Sequence, residues 1–370
     1  MHQHQRLKIA FFGSSLVSSY WNGAATYYRG IIKALAERGH EITFYEPDAF
    51  ERQKHRDIDD PEWAKVVVYQ ADEGSAREAL ESAGDADVIV KASGVGVLDE
   101  WLEREVIEHF SNTPNLTKIF WDVDAPATLE RIHKDPQDPF RKQIPRYDFI
   151  LTYGGGQPVM DAYHELGAQH CQPIYNALDP DVHHPVPADE KFTATLSFLG
   201  NRLPDREARV QEFFFNAVSA LPDKKFILGG SGWESYSPQF PNLAYLGHVY
   251  TRDHNQFNCS ALAVLNINRD SMARNGFSPP TRVFEAAGAG ACLIMDHWEG
   301  VEQFLEPDKE VLVATCGEDV IRHLRNLTPE KAKKIGAAAR ERMLAEHTYR
   351  HRATEFEALM NEDYPSAAIA

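Results

Sequence analysis

"LKIAFFG" (7–13), "GAATYYRGIIKALAERG" (23–39) and "HEITFYEPD" (40–48) follow one another near the start of the chain. The first and third are short apolar runs of strand length. Between them apolar residues recur at helical spacing up to Gly39, a natural helix end. A strand, helix and strand joined this tightly imply a parallel sheet. The rhythm continues with "ADVIVKAS" (86–93), a helix over 98–110, "TKIFWDVDAP" (117–126), "YDFILTYGGG" (147–156) and a helix over 158–168.

"QPIYNALDPDVHHPVPADE" (172–190) breaks the pattern, being rich in Pro, Asp and His, and reads as an interdomain linker. A second series then begins. It runs "ATLSFLGNR" (194–202), a helix over 206–221, "KKFILGGSGW" (224–233), "NLAYLGHV" (242–249), "ALAVLNINRD" (261–270), "FSPPTRVFEAAGAGACLIMD" (277–296) and "EVLVA" (310–314). From 329 to 360 the chain is almost uninterrupted helix pattern. A length of 370 residues suits two such domains. The expected boundaries are an N-terminal domain over 1–172, a linker over 173–190, a C-terminal domain over 191–345 and a helical tail over 346–370.

Hydrophobic residues at 43% and charged residues at 25% are ordinary for a soluble globular chain. No apolar run approaches the roughly 20 residues that span a bilayer, and the first residues lack a signal-peptide pattern. Cys171, Cys259, Cys292 and Cys316 are scattered, which points to a reducing cytoplasm rather than a disulfide framework. A net charge of −17 argues against a nucleic-acid partner. A few arginines in a pocket still suffice for a phosphorylated small molecule.

Ligands of open parallel sheets bind beyond the carboxyl ends of the strands. In the second series those ends carry Asn201, Arg202 and Arg206, Gly230 with Trp233, and Arg269. Ser278 is expected to cap a helix with Pro279 as its first residue, leaving N–H groups near Thr281 for a phosphate. Arg282 and Glu285 share a face one turn further in. They suit either a nucleotide grip, with the carboxylate on a ribose diol, or a plain i, i+3 ion pair. "GSSLVSSYWNGAA" (13–25) offers Gly13 but no G-x-G-x-x-G, and "TYGGGQPV" (152–159) suits a site loop or a tight turn equally. His183 and His184 read as solvated loop residues rather than metal ligands, His2 and His4 as a mobile terminus. "DIDDPEW" (57–63) reads as a solvated loop and "KAKK" (331–334) as a polar helix face.

The order of motifs resembles the GT-B glycosyltransferases, and among them the group related to the spore-maturation protein CgeB. The resemblance rests on "FWDVDAPATL", "TYGGGQPVMDAYHELGA", "PIYNALDPDVHHPV" and "FSPPTRVFEAAGAGACLI". It implies an α/β architecture of two Rossmann-like, doubly wound domains facing a central cleft, with a last helix crossing back to the first domain. It further implies a nucleotide diphosphate sugar as substrate, with no cofactor and no metal. Glu285 would match the second glutamate of an E-x7-E motif that holds the donor ribose, whereas the first falls at Phe277. Arg202 and Arg269 would face the diphosphate, and the backbone of His248 and Val249 the base. Asp122 and Asp124 form a D-x-D on the acceptor side. Asp124 is the preferred group to position or deprotonate the acceptor hydroxyl, the alternative being that the pair caps the following helix. A nucleotide-sugar epimerase and a non-enzymatic sugar-binding coat component are the rival readings. The acceptor, the donor sugar and the oligomeric state are left open.

Overall fold

The computed structural model describes residues 6–20 and 22–361, so His2 and His4 lie outside the described residues. The chain divides into two compact units. One holds the described residues up to Tyr175 together with those from Tyr349 onward, and the other is Asn176–Thr348.

The first unit contains β1 (Lys8–Phe12), α1 (Ala25–Glu37), β2 (Glu41–Asp48), β3 (Lys65–Gln70), α2 (Glu73–Ser82), β4 (Val88–Ala92), α3 (Asp99–His109), β5 (Thr117–Asp122), α4 (Ala125–Lys134), β6 (Phe149–Thr152), α5 (Gly156–Glu165) and β7 (Cys171–Pro173). The strands pair in the order β3-β2-β1-β4-β5-β6-β7, and all pairs are parallel. Helices cover such a sheet, so its central strands are largely apolar, and every residue of β4 is buried, Lys91 included. β3 and α2 have no counterpart in the sequence reading. β3 is an edge strand whose valines are only partly covered, Val68 being 42% exposed. Its apolar run, "VVVY" (66–69), is short and lies between Lys65 and Gln70.

The second unit contains β8 (Ala194–Leu199), α6 (Pro204–Val210), α7 (Asn216–Ala220), β9 (Phe226–Gly229), β10 (Leu243–Gly247), α8 (His254–Ser260), β11 (Ala261–Asn266), α9 (Asp270–Asn275), α10 (Thr281–Gly288), β12 (Leu293–Asp296), β13 (Leu312–Ala314), α11 (Gly317–Asn326) and α12 (Pro329–Glu346). Its strand order is β10-β9-β8-β11-β12-β13, again parallel throughout. A π-helical turn, Gln211–Phe215, joins α6 to α7, and the Glu212 carbonyl lies against Gly317 where a Cβ would collide.

The final helix, α13 (Tyr349–Met360), belongs to the first unit and packs on α1. The Tyr349 ring fills the space beside Gly30 where any larger residue would clash. Buried Glu357 accepts from Arg38 Nε at 2.7 Å and lies 3.0 Å from His40 Nε2, which fixes the helix at its far end. Residues 173–190 are not all surface chain. Asn176, Ala177, Leu178 and His183 are buried in the second unit.

Candidate functional site

In the second unit the strand order turns back between β8 and β11, so the loops after these strands flank the topological switch point, the usual ligand position in open α/β sheets. Arg202 follows β8 and Arg269 follows β11. Each is already engaged. Arg202 binds both carboxylate oxygens of Glu207 at 2.9 Å and lies over the Tyr236 ring, while Arg269 Nε donates to Asp205 at 2.7 Å. Arg206, at the start of α6, differs: its Nε is buried with no hydrogen-bond partner. Burial pushes its pKa below the ordinary arginine value against the pull of Asp205, and the nearby positive charges of Arg269 and Arg282 add to the shift. Three guanidiniums thus act on one another here, which an arriving diphosphate would relieve.

Several expectations need correction. Trp233 is fully buried, and its indole N–H donates to the Gly200 carbonyl at 2.8 Å, so the side chain supports the β8 end and has no face for a ligand. Gly230, at φ 109°, is a glycine because a Cβ would strike the Gly200 backbone; the close approach is between two loops of this unit. Ser278 does not cap a helix and Pro279 does not begin one. α10 starts at Thr281, with Pro280 in the cap position at ψ 156°. A residue before proline is driven out of the helical region, so Pro280 forbids helix at Pro279. Buried Ser278 instead directs its carbonyl toward Asn268 Nδ2. Phe277 takes a left-handed φ of 46°, and its ring packs on Gly300. Val249 is buried beside Gly229, and His248 is exposed with its ring edge-on to Tyr250. Gly13 lies in the first unit under the Phe44 ring. The loop after it wraps a buried carboxylate, as Glu46 accepts from Ser15 Oγ at 2.9 Å and Leu16 N at 2.6 Å.

The most unusual chemistry of the second unit is centred on Glu285, one turn into α10 and 7% exposed. Arg282 Nη1 lies 2.9 Å from its Oε2, His254 Nδ1 lies 3.6 Å from the same oxygen, and His183 Nε2 lies 3.8 Å from Oε1. His183 comes from the stretch expected to be a solvated linker, yet it is 5% exposed, while its neighbour His184 faces solvent. Burial would raise the Glu285 pKa. The Arg282 charge and the two histidines overcome it and hold the carboxyl well below the usual carboxylate range. Burial lowers the His183 pKa, with Glu285 opposing. Glu285 Oε2, Arg282 Nε and the Nδ1 atoms of both histidines are buried without an aligned hydrogen bond. An ion cluster with this much hydrogen-bonding capacity is well suited to a polyhydroxy ligand.

In the first unit Asp122 ends β5 fully buried. Its Oδ1 accepts from Ser93 Oγ at 2.7 Å, Asp124 N at 3.0 Å and Thr128 Oγ1 at 3.1 Å, and its Oδ2 accepts from Tyr163 OH. A carboxylate so fully bonded organises the β5–α4 turn and is closed to an acceptor, which corrects its reading as a catalytic group. Asp124 occupies the cap position of α4 without a side-chain cap bond, and is exposed. Among the described residues no group of three or more His, Cys, Asp or Glu is arranged to hold a metal ion.

Residues 206–358 match the family described as "Glycosyl transferase-like". The whole fold is similar to sucrose-phosphate synthase from Thermosynechococcus elongatus, at TM-score 0.67 and 14% identity over 96% of this chain and 99% of that one. It is equally similar to Anabaena HepE in complex with UDP and glucose, at TM-score 0.67 and 13% identity over 96% and 100%. An alpha-glucosyltransferase in complex with UDP-glucose and DNA containing an abasic site matches at TM-score 0.69 and 12% identity over 96% and 100%. The fold is GT-B. No match is found among curated protein sequences.

Within the GT-B frame, the structure brings Arg206, Arg269, Arg282 and Glu285 into one electrostatic neighbourhood of the second unit. It leaves Gly13, Asp122 and Asp124 in the first. Sequence reasoning missed His254 altogether and placed His183 in solvent. His254 begins α8 amid "TRDHNQF", where no spacing or apolar pattern marks it. Only the packing of α8 on α10 brings it to Glu285.

Proposed function

We propose that this protein is a glycosyltransferase that draws on a nucleoside diphosphate sugar and holds the nucleotide in its second unit. The observation that carries this reading is the buried Glu285 carboxylate beside Arg282, whose Oε2 has no aligned hydrogen-bond donor. A ribose diol supplies two donors to such a group, and hydrogen bonds to a charged acceptor are worth about 1.5–3 kcal/mol. The position of Glu285 inside the segment that matches the glycosyl transferase-like family supports the same reading. So does the similarity to HepE, whose structure contains UDP and glucose.

In the reaction an acceptor oxygen forms a bond to the anomeric carbon while the bond to the diphosphate oxygen breaks. The leaving group gathers negative charge, which Arg206, Arg269 and Arg282 neutralise without a metal. Arg269 would first exchange Asp205 for phosphate. The acceptor proton goes to the departing phosphate. A net charge of −17 makes a nucleic-acid acceptor unfavourable. The unpaired cysteines accord with a cytoplasmic setting, and the finer kinship with CgeB-related proteins belongs to this proposal too.

Melting temperatures measured with UDP-, GDP- and ADP-glucose test the reading. A ligand at 100 times its Kd stabilises by about 2.7 kcal/mol. A clear rise with one nucleotide sugar, undiminished by EDTA, is expected, and no rise with any of them rules the reading out.

A further inference from the structure

His183 and His254 approach Glu285 from two separate elements, the chain after Asn176 and the first turn of α8. Their rings are nearly parallel, inclined by 23° with centroids 6.5 Å apart, and each approaches a different oxygen of the carboxylate. At 3.6 and 3.8 Å the imidazole nitrogens stand too far from the oxygens for a hydrogen bond, yet close enough for an ion pair. The spacing has a chemical meaning. While the rings are neutral, the carboxylate oxygens stay open to ligand hydroxyls, and the buried His254 Nδ1 can bond to the same hydroxyls. Once a ring is protonated, it is drawn onto Glu285 and occupies the lone pairs that a diol would use.

We propose that His183 and His254 are positioning residues that make the Glu285 site a proton-sensitive grip for a vicinal diol, open with neutral rings and closed when either is charged. The proposal rests on the reading of Glu285 as the ribose-binding group. The surrounding charges permit the switch. Arg282, on the same helix, keeps Glu285 ionised throughout, and Asp179 acts on His183 from the preceding chain. On the packed neighbours, Arg340 of α12 is turned to the Gly288 carbonyl and Asp296 of β12 is paired with Arg209. Neither competes for the imidazoles. Burial favours the neutral form of His183, so the site is open at neutral pH and closes on acidification.

The test uses whichever of UDP-, GDP- and ADP-glucose binds most tightly, because the diphosphate diester of a nucleotide sugar does not itself titrate between pH 5 and 8. Calorimetry on the full chain gives Kd at pH 7.5 and 5.5. Linkage to one proton weakens binding by up to about tenfold per pH unit below the titration, so the wild-type ratio of the two Kd values should reach about ten or more. In the double variant His183→Gln, His254→Gln that ratio should fall to near one, whatever the absolute affinity. Should the double variant fail to fold, proton NMR of the wild type decides. The His183 imidazole signal should titrate in the free protein and cease to do so over that range once ligand is bound. An unchanged ratio in the double variant, or a His183 imidazole indifferent to ligand, overturns the proposal while leaving Glu285 as the ribose group. No binding by any of the three sugars at either pH overturns both.

Discussion

Asp122 and Glu285 are two buried carboxylates with opposite surroundings. Asp122 is the acceptor for a serine, a threonine, a tyrosine and a backbone amide. Glu285 is ringed by one guanidinium and two imidazoles, none in hydrogen-bond alignment with its Oε2. Burial is shared, so it does not distinguish a structural acid from a binding one. The difference lies in filled or unfilled hydrogen-bonding capacity. A filled carboxylate holds its own chain together, whereas an open one awaits a partner.

The comparison fails first if stability and binding do not separate. Asp122→Ala should cost about 3–4 kcal/mol of folding stability, since several charged-acceptor bonds vanish and Ser93, Thr128 and Tyr163 keep buried hydroxyls. Denaturant unfolding measures this, and a loss under 1 kcal/mol would make Asp122 dispensable to the turn. Glu285→Gln should weaken nucleotide-sugar binding by about 1.5–3 kcal/mol, in addition to the folding stability lost with the Arg282 pair. Lower stability with intact affinity would place Glu285 in the same class as Asp122.

Arg206→Gln sharpens the contrast on the phosphate side. Affinity for a nucleoside diphosphate should drop about tenfold, or 1.4 kcal/mol, with the free nucleoside unaffected. Equal losses for both ligands would move the phosphates away from Arg206. The smallest effect is on acid stability. Glu285 has its folded pKa depressed, so its contribution is present above about pH 4.5, the unfolded value, and is lost as pH falls below it. His183 is held neutral by burial, so the unfolded state takes up its proton first and stability already declines below about pH 6.5. Glu285→Gln should flatten the lower step of an unfolding-versus-pH curve and keep the upper one. A curve identical to wild type would contradict the depressed Glu285 pKa.

Much of this was legible in the sequence. Apolar runs such as "LKIAFFG" and "ADVIVKAS" mark central parallel strands because helices bury them on both faces, and Gly39 marks the end of α1 through its left-handed φ of 99°. Arg282 and Glu285 stood out as charges in an apolar helix. What escaped depends on tertiary approach. Trp233 beside glycines looks like a ligand platform until Gly200 is brought beneath it, and Ser278 looks like a cap until the effect of Pro280 on Pro279 is weighed. His254 gains its meaning from α10, some thirty residues further along the chain.

The way the chain enters and leaves the second unit has an evolutionary and practical consequence. Leu178 pairs with Thr348, and Leu178 N donates to the His347 carbonyl at 2.8 Å, so the two ends of that unit lie side by side. In the first unit the Arg352 guanidinium rests 6.0 Å over the Tyr175 ring, so the matching ends there are neighbours as well. Topologically, 176–348 is a cassette inserted into a host. Such a cassette can be excised, transplanted or exchanged for that of a relative, with a short linker restoring the host chain. A gene built this way can vary its host and its cassette in separate steps.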